Sequence, residues 1–149
     1  MPIGEFCNRE VVIIGREASA LEAAQLMRAH HVGSVVIVDT MAGVRKPMGV
    51  LTDRDIVVEL VAKQMAPEGV KVGDMVTSGV ATISDSAGVY DTLHYMRERG
   101  IRRMPVVDQQ GSLVGIVTMD DYLALFAEEL NELAKLVVRQ QNVEMKLRP

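Results

Sequence analysis

Along the chain, short β-branched runs alternate with segments whose apolar residues recur at helical spacing, and the whole order occurs twice. In the first copy residues 11–14 (VVII) predict a strand, and Leu21, Ala24 and Met27 then share one face of a helix. Strands at 34–38 and 48–51 follow, and a second helix over 54–65 closes the copy. The second copy predicts strands at 80–83, 104–107 and 113–117, a helix carrying Val89, Leu93 and Met96, and a closing helix from 120 onward. Ser19 and Ser86 stand near the first helix of each copy as candidate caps. DTMAGVRKP and DQQGS read as turn-like connections between paired strands. The order β-α-β-β-α predicts an α+β module with a small sheet in each half.

A shift of 69 residues lays Gly4-Glu5-Phe6 over Gly73-Asp74-Met75, Leu26-Met27-Arg28 over Tyr95-Met96-Arg97, and Val36-Ile37-Val38-Asp39 over Pro105-Val106-Val107-Asp108. The shift falls to 66 at Gly49 and Gly115, so three extra residues sit in the first copy's connection over 40–47. The copies span 4–65 and 73–130, APEGVKVGD over 66–74 reads as their linker, and 131–149 extends the last helix. A half of about 60 residues is marginal as a lone core. The two copies are therefore expected to pack pseudo-symmetrically through their sheets as one folding unit.

Each copy ends its last strand in the same polar corner, GVLTDRDI at 49–56 and GIVTMDDY at 115–122. Thr52 and Thr118 fall at a helix N-cap, with Asp55 and Asp121 in the first turn. Two readings of this corner stand side by side. Thr-x-x-Asp is an ordinary cap, worth about 1 kcal/mol. A helix N-terminus also favours an anion, and an ionised Asp accepts from two neighbouring hydroxyls such as a ribose diol. Gly49 and Gly115, lacking Cβ, let backbone or ligand come close.

Composition narrows the class. Of 149 residues, 48% are hydrophobic and 24% charged, as in a soluble globular protein. With Tyr 3, Phe 2 and Trp 0, aliphatic side chains and the ten Met must fill the interior. A net charge of −4 argues against a general nucleic-acid binder. Cys7 is the single cysteine, so no intramolecular disulfide and no cysteine-rich metal site can form, and it reads as a packed residue. His30, His31 and His94 lack the partners of a metal site or triad. MPIGEFCNRE has no apolar signal core, and no run approaches the roughly 18–20 residues of a membrane span, so a cytoplasmic protein away from membranes is expected.

The chain resembles a tandem pair of CBS domains, a Bateman module, over 4–130. The likeness is carried by VGSVVIVD…MGVLTDRDI, by IRRMPVVDQQGSLVGIVTMDDY, and by VGDMVTSGVATI at the start of the second copy. It implies a stand-alone regulatory module, not an enzyme, whose clefts bind AMP, ADP, ATP, NAD or S-adenosylmethionine as regulatory ligands, with no required cofactor. The family's ribose-binding Asp falls on Asp55 and Asp121, and its hydroxyl residue on Thr52 and Thr118. The adenine-facing wall falls on Ile13, Ile14, Val32, Gly33, Ser34 and Val35 in the first copy. In the second it falls on Thr82, Ile83, Ile101, Met104 and Pro105. Those positions are apolar enough to be core as well. Arg102 and Arg103 stand where the first copy has Gly33 and Ser34, and either hold phosphate or are a solvated pair.

Beyond the second corner, Tyr122, Phe126, Leu130, Leu133 and Val137 form a helical stripe that either covers the chain's own core or meets a partner. A homodimer is expected, with an unidentified protein partner also possible for a module of this kind. The rival classes are a structural dimerisation module with empty clefts and a small nucleotide-acting enzyme.

Overall fold

The structure is a computed structural model that describes residues 1–76 and 79–148. Thr77 and Ser78 of the VGDMVTSGVATI motif, and Pro149 of the terminal extension, lie outside the described residues. Two compact units result, Met1–Val117 and a second that begins at Thr118.

In the first unit α1 (Ile3–Phe6) precedes β1 (Ile13–Gly15), α2 (Ala20–His30), β2 (Ser34–Met41), β3 (Val44–Thr52) and α3 (Asp53–Ile56). α3 continues as a π-helical stretch, Val57–Val61, in which the Ala62 N–H reaches back five residues to the Val57 carbonyl (2.9 Å). A 3₁₀ turn (Pro67–Gly69) and α4 (Val72–Met75) lead into β4 (Ile83–Ser84), α5 (Val89–Arg99), β5 (Arg103–Val107) and β6 (Leu113–Thr118). The second unit is α6 (Met119–Leu147). The two sheets have orders β1-β2-β3 and β4-β5-β6. β1 runs parallel to β2, β3 antiparallel to β2, and β4 parallel to β5. The sheets share a cluster in which Val36, Val38 and Leu113 are buried, with Val11, Ile13, Val50 and Ile116 against them. The expected α+β pair packed through its sheets is therefore what the chain builds. No helix among the described residues is long and apolar enough to cross a membrane.

Several local expectations need correction. DTMAGVRKP is mostly strand: β2 and β3 run on to a two-residue turn, where Ala42 (φ 51°) and Gly43 (φ 80°) take the left-handed conformations of a tight hairpin. Pro47 sits at the bulge of this pair, where a missing N–H is tolerated. The helix predicted over 54–65 is α only to Ile56. The buried faces are Ala20, Ala23 and Met27 in α2, and Val89, Thr92 and Met96 in α5; Leu21 is exposed and Ala24 and Leu93 are half-buried. Ser19 caps α2 in a reciprocal box with Glu22 (3.1 and 2.8 Å). Ser86 caps nothing: Gly88 is the N-cap of α5, and the Ser86 hydroxyl meets that of Ser84.

The rotated helix faces have a cause in the segments that precede each copy. Each is strapped onto the other copy. Ala20 N–H donates to Val70 O (2.8 Å), Val72 N–H to Ala18 O (2.8 Å) and Gly73 N–H to Arg16 O (2.9 Å). At the matching positions Val89 N–H donates to Met1 O (3.1 Å), Ile3 N–H to Ala87 O (2.7 Å) and Gly4 N–H to Asp85 O (2.9 Å). Ile3 and Val72 are fully buried, each worth about 1.5–3 kcal/mol of apolar burial. A Cβ on Gly4 would lie 2.9 Å from Asp85 O, and one on Gly73 2.8 Å from Arg16 O. The linker is thus part of the first copy's packing.

Candidate functional site

Both polar corners close as reciprocal caps. Thr52 N–H donates to Asp55 Oδ2 (2.8 Å) and Asp55 N–H to Thr52 Oγ1 (3.1 Å). In the second unit Thr118 N–H donates to Asp121 Oδ2 (2.8 Å) and Asp121 N–H to Thr118 Oγ1 (3.3 Å). Capping is therefore real at both corners, and it leaves chemistry unspent. Each Thr hydroxyl is used as an acceptor, so its own O–H can still donate. Each Asp uses Oδ2, and Oδ1 takes no hydrogen bond among the described residues. All four residues are half-buried. One donor and one anionic acceptor, held about one helical turn apart, are thus presented at each corner.

The fold gathers part of the first copy's expected site around this corner. Ser34 lies opposite Thr52 in the β2–β3 register, and the Asp53 N–H donates to Gly33 O (2.9 Å). Gly33, Ser34, Thr52 and Asp55 therefore share one end of the sheet. Ile13 and Val32 line a separate cleft of about 450 Å³ with Asn8, Glu10, Val11, Val12, Leu26 and His30. Asp55 borders a different groove of about 670 Å³, where Glu59, Lys63 and Asp74 add charge and Leu60, Val70 and Met75 add apolar surface. The structure thus sets Asp55 and the Ile13–Val32 wall on two depressions. Ile14 and Val35 are buried in the core with Ile37, Leu51 and Val72, so their side chains serve packing.

In the second copy Met104 and Pro105 are likewise fully buried in β5. Thr82, Ile83, Ile101 and Arg103 are half-buried and Arg102 is exposed. Neither arginine makes an ion pair or side-chain hydrogen bond among the described residues. Gly49 and Gly115 are explained by the protein itself: a Cβ on Gly49 would meet Val76 Cβ at 2.8 Å, and one on Gly115 would meet Cys7 Sγ at 2.6 Å and Asn8 O at 2.7 Å. Chain, not ligand, takes that space. Cys7, read as packed, is buried there.

Sequence reasoning missed Asn8, Glu10 and His30 as cleft residues. The only signal for them was position, just before the first strand and at the end of α2. His31 ends α2 at a left-handed C-cap (φ 54°, ψ 43°), its N–H bonded to Met27 O. Among the described residues no group of three or more His, Cys, Asp or Glu side chains is placed to hold a metal ion.

Comparison with known proteins agrees with this architecture. The CBS domain matches residues 3–62 and 72–128. An uncharacterized protein of Methanopyrus kandleri is 38% identical over 121 residues, which are 81% of this chain but 60% of that protein's length. Hypoxic response protein 1 of Mycobacterium tuberculosis is 32% identical over 117 residues, 78% of this chain and 79% of the relative. A crystal structure of Hypoxic Response Protein I, with two coordinated zinc ions, superposes with a TM-score of 0.72 at 30% identity, covering 83% of this chain and 98% of that one. A CBS domain protein of Pyrobaculum aerophilum, solved in complex with AMP, gives 0.72 at 25% identity, covering 81% of this chain and 89% of that one. Two matched copies over most of the length, built as two sheets that pack through one core, place this chain in the CBS domain family.

Proposed function

We propose that the chain is a cytoplasmic regulatory module that binds an adenosine phosphate at its Thr-x-x-Asp corners and passes occupancy to its own assembly, a homodimer, or to a protein partner. The observation that carries this reading is the unspent pair at each corner, a Thr O–H and an Asp Oδ1. A ribose offers two hydroxyl donors to that carboxylate oxygen, and a ribose or phosphate oxygen accepts from the threonine. The AMP found in the P. aerophilum relative supports the ligand class. Occupancy acts as a signal here, without turnover.

The test is a thermal-shift panel of AMP, ADP, ATP, NAD and S-adenosylmethionine on protein stripped of ligand by unfolding and refolding. A ligand at 100 times its dissociation constant raises stability by about 2.7 kcal/mol. No shift with any of the five sinks the reading, and release of product would replace it with an enzymatic one. Asp55→Asn and Asp121→Asn sharpen it. Asparagine keeps the capping oxygen but turns the second acceptor into a donor, so the fold should hold while affinity falls about tenfold or more.

A further inference from the structure

The stretch of α6 beyond Phe126 contributes no residue to either corner. From Ala127 to Arg148 every described residue is exposed. Leu130 (67%), Leu133 (60%), Leu136 (63%) and Val137 (54%) stand in water along one side of the helix, and Leu123 (58%) continues the row toward its start. Their spacing of three, four and seven residues is that of a helix–helix seam. A helix of this length in water draws most of its stability from packing an apolar face, and the pair Lys135–Glu132 (3.0 Å) is a minor support.

Charge decides what covers the seam. From 127 to 134 the exposed stretch carries Glu128, Glu129 and Glu132 and no cation. From 135 to 148 it carries Lys135, Arg139, Lys146 and Arg148 against a single anion, Glu144. Such a helix is complementary to itself when reversed and repulsive to itself in parallel register. The helix dipole adds to the same preference.

We infer that α6 is the docking surface for a second copy of this chain, the two helices pairing antiparallel through the Leu130–Leu133–Val137 seam with the acidic half of each beside the basic half of the other. This interface stands independently of the nucleotide reading, since it uses no residue of either corner.

Pulsed spin-label distance measurement tests the orientation on the full chain, with a nitroxide at Met145→Cys and buried Cys7 left in place. An antiparallel pair crossing near Leu133 separates the two labels by about 35 Å, at 1.5 Å per residue. A parallel pair holds them about 10–15 Å apart, close to the interaxial spacing, and that result overturns the orientation. Light scattering tests the surface. Leu130→Ser with Leu133→Ser should give a 16.3 kDa monomer that still folds, because neither side chain is buried within a single chain. A dimer that survives this change, or a wild-type chain that is monomeric throughout, overturns the proposal. Charge reversal gives the second arm: Glu128→Lys with Glu132→Lys should weaken the dimer about tenfold or more, and adding Lys135→Glu and Arg139→Glu should restore it. Equal dimerisation by all three charge forms counts against the antiparallel seam.

Discussion

The two copies share a backbone plan but reach it with different side chains. In the first copy Val36 donates its N–H to Val12 O (2.9 Å), and β1 pairs with β2 from Ile13 onward. The residue matching Val36 is Pro105, which has no N–H. Pairing in the second copy accordingly begins one residue later, at Ile83 with Val106, and β4 is left with two residues. α2 starts from a Ser19–Glu22 box, whereas α5 starts from Gly88 with no side-chain cap. α2 ends at His31 in the left-handed region, where α5 has Gly100. What does not differ is the strap of backbone hydrogen bonds, the glycine that admits it, and the Thr–Asp corner. The pseudo-symmetry is therefore held by main chain and close approach, and side-chain detail is free to vary around it.

The largest expected effect breaks the close approach. Gly115→Ala places a Cβ 2.6 Å from Cys7 Sγ and 2.7 Å from Asn8 O, and the Asn8 carbonyl is fixed by its bond from the Ile116 N–H. Overpacking against fixed backbone should cost about 3 kcal/mol, or roughly 6–12 °C in Tm. Gly49→Ala meets Val76 Cβ at 2.8 Å rather than a hydrogen-bonded carbonyl, so its loss should be smaller. Equal losses, measured by thermal denaturation, would show that the backbone contact is not what distinguishes the two corners.

The next effect concerns charge. Arg102 and Arg103 are cations without partners among the described residues, whereas the first copy has Gly33 and Ser34 there; against this, Arg54 stands beside Asp55 where the second copy has Asp120, and each corner carries two carboxylates in its first turn. Phosphate should therefore favour the second copy. Arg102→Gln with Arg103→Gln is expected to weaken AMP binding about five- to tenfold, with exposure reducing what buried bonds would give, and to leave adenosine unchanged. Calorimetry showing the same loss for adenosine would assign the arginines to the fold, and no loss for either would make them a solvated pair.

How far these differences were legible in the sequence depends on what carried them. The repeat, the order of elements along the chain and the Thr–Asp corners were readable because residue type alone determines them: β-branched runs, helical spacing and a capping pair. The helix faces were misread by one residue because Ala20 and Ala23 look less like core than Leu21. Their burial comes from strap segments that approach from the other copy, a contact between distant residues. The hairpin was misread because an Ala-Gly turn inside DTMAGVRKP is masked by charged residues that sit on exposed strand. Ile14, Val35, Met104 and Pro105 were apolar on either reading, and only the folded chain separates cleft from core.

A smaller expected effect lies at the end of the first helix. His31 holds φ 54° where Gly100 holds φ 63°, and a residue with a Cβ is strained there. His31→Gly relieves that strain but widens the unfolded ensemble, which offsets part of the gain. A net stabilisation of about 0.5–1 kcal/mol is expected in a denaturant titration. Gly100→His should lose about the same amount. If both substitutions destabilise, the His31 side chain makes a contribution that backbone strain does not account for.

The smallest effect is in the ion pair that only one strap has. Lys71 Nζ lies 2.6 Å from Glu17 Oε2, and the matching positions in the second copy are Pro2 and Ser86. The hydrogen bond between them, with their mutual attraction, lowers the Glu17 pKa and raises that of Lys71. The depressed carboxyl stabilises the fold above its unfolded pKa, and this is lost as pH falls through the folded value. The raised ammonium contributes below its unfolded pKa, and this is lost only as pH rises through the folded value, beyond the ordinary lysine range. Around neutrality the pair is fully charged, but both side chains are more than half exposed, at 58% and 73%, and water and salt screen them. Glu17→Gln should therefore leave Tm unchanged at an ionic strength of about 0.15 M and lower it slightly at about 0.01 M, where the Debye length is about 30 Å. That low-salt difference should vanish once the pH is taken below the folded pKa of Glu17. A loss that persists in acid would come from packing of the strap, and would move Glu17 from the charge side of the comparison to the backbone side.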